Sequence, residues 1–80
     1  MDNTYSNLNI GLAIKSIRSI YDMRSKQLAE NLGISPSYLS EIETGRKTIS
    51  LQLLNRFSKY FELKPSTVIL IAESITEMKE

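Results

Sequence analysis

The sequence predicts an all-α fold of five helices, and three observations predict it. Apolar residues recur at steps of three and four, and no stretch alternates with period two for long enough to read as a strand. Helix stops and starts punctuate the chain: Gly33 and Gly45 close apolar stripes, while Ser35-Pro36, Ser50 and Pro65 open new ones. Eighty residues suffice for one domain with a small core.

Residues 1–8 begin MDNTYSN, are polar and lack periodicity, so they are expected to form a flexible arm; residues 9–80 then make a single domain. The first helix is expected over residues 10–21, because Ile10, Ile14, Ile17 and Tyr21 share one face. Asn9 is its expected N-cap, and Asp22 suits the exit because Asp tolerates the left-handed conformation. The second helix covers residues 25–32 with Leu28, Ala29 and Leu32 inward, and ends at Gly33, which enters the left-handed region without steric cost. Ser35 can cap the third helix, residues 36–44, and Pro36 fits its first position, where the missing N–H is no loss. Leu39 and Ile42 face inward there, and Gly45 stops the helix. After a short basic loop, Ser50 caps a fourth helix over residues 51–61, with Leu51, Leu54, Phe57 and Phe61 as its stripe. Pro65 opens a fifth, carried to Met78.

Composition removes several classes of function. The chain has no Cys and no His, hence no disulfide, no thiolate metal site, no imidazole ligand and no ordinary general base. It also lacks a Gly-rich phosphate loop, so an enzyme is not expected, nor a cofactor. No apolar run approaches the ~18 residues that span a bilayer, and no signal-peptide pattern opens the chain. A cytoplasmic location without membrane contact is the expectation. Net charge is only +1, but it is unevenly spread: residues 34–61 carry +2 and residues 62–80 carry −2. A basic middle beside an acidic tail permits an anion-binding face away from the C-terminus.

The stretch Ser25 to Thr44, SKQLAENLGISPSYLSEIET, organises the rest. Ala29, Gly33, Leu39 and Ile42 lie at offsets of four, six and three, which lets two short helices cross closely around a tight turn and leaves the second exposed on one side. LAENLGIS (Leu28 to Ser35), then YLSEIETG (Tyr38 to Gly45), then the loop and the helix from Ser50, resemble the Cro/C1-type helix-turn-helix domains of phage repressors and bacterial regulators. The resemblance covers about residues 10–68. It implies a lambda-repressor-like five-helix DNA-binding domain with the helix-turn-helix in helices two and three. It further implies a sequence-specific transcriptional regulator, a repressor or small controller, acting on double-stranded DNA. The chain departs from the family at the start of helix two, where members commonly carry Ser or Thr followed by Gln and this chain has Arg24-Ser25, and at Ile49, where members often have Pro.

In such motifs the second helix enters the major groove. The resemblance places Pro36, Ser37 and Glu41 at base-reading positions: Pro36 offers an apolar contact, Ser37 a weakly discriminating hydroxyl, and Glu41 an acceptor for cytosine N4. Tyr38 and Ser40 are in reach of bases or phosphates, and Ser35 caps first and can hold a phosphate near its N–H groups. Arg46 and Lys47 are the foremost phosphate candidates, followed by Arg24 and Lys26, with Ser25 or Arg24 standing in for the family's Gln; Arg18 and Arg56 are weaker. The alternative for each charged residue is plain solvation. The resemblance also implies a structural ion pair between Lys15 and Glu43.

In the fifth helix, Val68, Ile71, Ile75 and Met78 step by three, four and three. Val68 can belong to the core, whereas Ile71, Ile75 and Met78 suit a partner helix, making residues 65–79 a dimerisation helix and the protein a homodimer on a palindromic operator; the alternative is that this helix only completes the core by ordinary packing. The competing reading is an antitoxin-like protein-interaction module with secondary DNA binding, whose protein partner the sequence does not identify.

Overall fold

The computed structural model describes residues 9–78, so the expected arm at residues 1–8 lies outside the described residues. Five helices follow one another: α1 (Ile10–Ile20), α2 (Ser25–Leu32), α3 (Pro36–Glu43), α4 (Leu51–Tyr60) and α5 (Pro65–Met78). The turn between α2 and α3 joins two eight-residue helices; α2 has the expected bounds, and α3 ends one residue earlier than expected, with Thr44 as its C-cap. Among the described residues no helix is long and apolar enough to cross a membrane.

The apolar stripes meet in one core. Ala13, Ile14 and Ile17 of α1 pack with Leu28, Ala29 and Leu32 of α2, Leu39 and Ile42 of α3, Leu54 and Phe57 of α4, and Val68 and Ala72 of α5. Leu53 is buried in α4, whereas Leu51, expected inward, is 72% exposed. It occupies the first position of its helix, before the chain has turned toward the core. Local signals set the boundaries. Ser35 Oγ accepts from Tyr38 N at 3.0 Å and Ser50 Oγ from Leu53 N at 3.1 Å, so both expected caps form. Gly33 leaves α2 with φ +74°.

Two other ends use acidic residues instead of Gly: Asp22 has φ 55° and Glu62 has φ 58°. Each follows an aromatic C-cap, Tyr21 and Phe61, whose rings meet with centroids 4.8 Å apart. The ends of α1 and α4 are thereby pinned together.

Two expectations change, and one relationship is new. Asn9 makes no side-chain cap; its N–H and Nδ2 donate instead to Thr76 Oγ1, at 3.2 and 3.3 Å. The acceptor is there because α5 lies along α1. That contact also draws α5 deeper than its stripe suggests: Ala72 is fully buried, and Ile69, Ile71 and Ile75 pack against the core. Lastly, α1 and α3 cross so closely at Gly11 that a Cβ there would overlap the Ile42 carbonyl oxygen.

Candidate nucleic-acid interface

The placement of α3 begins with its buried side. Leu39 and Ile42 lie in the core, which points the opposite side of the helix outward. Orientation is then fixed by an ion pair. Arg18 Nε donates to Glu43 Oε2 at 2.8 Å and its Nη2 to Oε1 at 3.0 Å, while Nη1 donates to the Met23 carbonyl at 2.9 Å. One guanidinium therefore ties together α1, α3 and the connection leading into α2.

This corrects the expected Lys15–Glu43 pair; Lys15 is exposed to solvent. The helix period explains the change. Arg18 lies seven residues, about two turns, after Gly11, so it shares the side of α1 that touches α3. Lys15 lies farther round. A planar fork also serves both carboxylate oxygens and a carbonyl, which an ammonium matches poorly. Arg18 is correspondingly not available as a phosphate contact. Arg56 is also engaged, donating from Nη1 to the Leu32 carbonyl at 2.6 Å across the C-terminus of α2.

The remaining residues singled out from sequence are brought to the outer side of this unit. Ser35, Pro36, Ser37 and Ser40 are exposed, and Glu41 is half-buried. Tyr38 is half-buried, its ring against the core. Arg24 is the N-cap residue of α2 and makes no side-chain cap, so the first N–H groups of that helix have no side-chain acceptor from it. Ser25, half-buried, and Lys26, exposed, begin the same helix. Arg46 and Lys47 are exposed beyond Gly45, where their N–H groups both donate to the Glu41 carbonyl, at 2.8 and 3.1 Å. The loop thus folds back onto α3. An exposed helix start, an uncapped helix N-terminus and a basic loop on one unit are the parts of a helix-turn-helix.

A family model described as helix-turn-helix matches residues 14–73. The chain belongs to the helix-turn-helix family. Two structures of ClgR, the clp gene regulator of Corynebacterium glutamicum, share its fold. One is 30% identical with a TM-score of 0.85, covering 92% of this chain and 79% of that one. The other is 32% identical with a TM-score of 0.79, covering 86% and 90%. An uncharacterized HTH-type transcriptional regulator of Archaeoglobus fulgidus is 41% identical over 49 residues, which are 61% of this chain and 21% of that protein. The chain thus spans about a fifth of the length of that curated relative. This is a helix-turn-helix domain related to Cro/CI-like and ClgR-type regulators.

Within the helix-turn-helix unit, two relationships escape a sequence reading. Lys47 Nζ lies 3.4 Å from Glu41 Oε1 and 5.7 Å from the centre of the Tyr38 ring. On α5, Ile71 and Ile75 are half-covered by their own domain, while Met78 is 83% and Leu70 60% exposed. The open apolar strip on α5 is therefore Leu70 and Met78, edged by Ile71 and Ile75.

Proposed function

We propose that this chain is a sequence-specific double-stranded DNA-binding transcriptional regulator that acts as a homodimer on a palindromic operator. The observation that carries the reading is the exposed first turn of α3, Ser35 to Ser37, on a helix whose back is Leu39 and Ile42 and whose tilt is held by Arg18 and Glu43. In this reading the turn enters the major groove with Ser37 and Glu41 toward base edges. Arg46 and the uncapped start of α2, with Arg24, Ser25 and Lys26, meet phosphates on either side. The likeness to the clp gene regulator of C. glutamicum and to the HTH-type transcriptional regulator of A. fulgidus supports the assignment. The protein would work in the cytoplasm, beside its DNA.

The dimer part rests on α5. Leu70, Ile71, Ile75 and Met78 offer an apolar strip that a second copy can cover, and a twofold axis there would set two copies of α3 about one DNA turn, ~34 Å, apart.

Selection of binding sites from random duplex DNA, repeated at two salt concentrations, tests the function. The expected product is a palindrome bound with a clear salt slope; equal, purely salt-dependent binding of every sequence would remove the regulator reading.

A protein-interaction role is the second reading, favoured by one observation. Tyr21, Met23, Tyr60, Phe61 and Glu62 line an open cleft of about 530 Å³ that α3 does not enter. A Tyr21→Ala, Tyr60→Ala variant that loses regulation in cells while keeping operator affinity would support it.

A further inference from the structure

Glu41 stands four residues after Ser37, on the same side of α3. A carboxylate there faces a polyanion, which by itself disfavours binding. The structure supplies a cation to it. The loop after Gly45 returns so that Arg46 N and Lys47 N donate to the Glu41 carbonyl at 2.8 and 3.1 Å. That return delivers Lys47 Nζ to within 3.4 Å of Glu41 Oε1. The half-buried Tyr38 ring walls the ammonium on another side, at 5.7 Å. Lys47 is thus held at its root and at its tip by one residue, Glu41. The side chains are 56% and 39% exposed, so the pair adds little to folding stability. Arg46, by contrast, is exposed with no side-chain partner among the described residues.

We propose that Glu41 and Lys47 act on DNA as one reading unit, in which Lys47 neutralises and orients the Glu41 carboxylate instead of gripping a phosphate. The inference rests on the operator-binding reading above and deepens it. With Oε1 engaged, Oε2 is left as the acceptor presented to the groove. Cytosine N4 is the donor that suits it, since no major-groove acceptor sits on the same base. Adenine N6 is flanked by the N7 acceptor, and guanine offers only acceptors, so both repel a carboxylate. Each half-site is therefore expected to hold one C·G pair, read by Glu41 and dependent on Lys47. Arg46 remains the phosphate contact of the loop.

The test uses the duplex that the wild-type protein selects from random DNA and four proteins: wild type, Glu41→Gln, Lys47→Gln and the double variant. Both side chains keep substantial exposure, 56% for Lys47 and 39% for Glu41, so unchanged thermal melting serves as the folding control. Glu41→Gln should lose the preference at one base pair of each half-site, by about tenfold. It should also free Lys47 for a phosphate, steepening the slope of log affinity against log salt by about 0.9 per subunit. Lys47→Gln should weaken binding to every sequence, and adding Glu41→Gln should restore part of that loss without steepening the slope. Independent, additive effects of the two substitutions, with the Glu41→Gln slope unchanged, would overturn the unit while leaving operator binding intact. Absence of selective binding by the wild-type protein would instead overturn the operator reading, and the inference with it.

Discussion

Arg18 grips Glu43 through two parallel hydrogen bonds of 2.8 and 3.0 Å, and the two side chains retain only 13% and 7% of their exposure. Glu43 sits at the last position of α3, so this fork sets the angle at which the exposed helix leaves the core. Removing one partner strands the other charge in a largely water-excluded place, which costs about 3–5 kcal/mol at the fully buried limit. Glu43→Ala and Arg18→Ala are each expected to lower unfolding free energy by about 3 kcal/mol. Glu41→Ala, at a partly exposed position, should change it by no more than about 0.5 kcal/mol. Urea denaturation distinguishes the two; equal losses at Glu41 and Glu43 would show that the fork is not what holds α3.

The crossing of α1 and α3 gives a second stability test. Gly11 lies inside a helix, where Ala is better by about 1 kcal/mol on propensity alone. A methyl there meets the Ile42 carbonyl oxygen, a backbone atom that cannot step aside. Overpacking should win, and Gly11→Ala is expected to destabilise by about 3 kcal/mol. A stabilised variant in thermal or urea unfolding would mean that the helices do not cross this closely.

What was legible in the sequence divides along physical lines. Caps and stops were legible because they are local: Ser35, Ser50, Gly33 and Pro65 act on backbone within four residues of themselves. The inward stripes of α2 and α3 followed from period alone. Relationships between distant segments were not legible. The choice of Arg18 over Lys15 depends on which side of α1 faces α3, and the one clue, Gly11 two turns earlier, carries meaning only once the crossing is known. The depth of α5 depends on its lying along α1, where Asn9 N donates to Thr76 Oγ1 across 67 positions. Of the interface, the exposed serines of α3 could be named from the motif. The tie from Lys47 to Glu41 requires the loop's return path, which no spacing rule encodes.

The acidic helix exits can be tested by substitution toward Gly. Glu62 holds φ 58° and Asp22 φ 55°, and the left-handed region costs an L-residue roughly 1–2 kcal/mol. Gly removes that strain but adds unfolded-state entropy of roughly 0.5–1 kcal/mol. Glu62→Gly is expected to stabilise by about 0.5 kcal/mol, and Asp22→Gly by less, because Asp tolerates the conformation better. Urea midpoints at constant m-value measure both; a loss at Glu62 would assign its side chain a role in holding the end of α4.

The loop cation left without a side-chain partner provides a test of phosphate binding. Arg46 is exposed beyond Gly45. Arg46→Gln is expected to weaken binding by a similar factor on operator and on random duplex, and to flatten the salt slope by about 0.9 per subunit. A loss confined to the operator would make Arg46 a reader of bases.

The dimer is the part of the proposal that the structure reshapes most. Substituting Ile71 and Ile75 would disturb the domain's own core, since both pack against it. Leu70 and Met78, at 60% and 83% exposure, can be changed without opening that core. Leu70→Glu with Met78→Glu should leave α-helical content and melting close to wild type. It should also place carboxylates where a second copy would bury apolar surface, beside the outward Glu73 and Glu77. Like charge then opposes association from both copies at once, because a twofold interface meets itself. The expected result by sedimentation is a monomer, with affinity for the palindrome falling toward that of a single half-site and the salt slope roughly halved. A wild-type monomer would remove the dimer from the proposal, and a variant that still sediments as a dimer would move the twofold axis away from α5.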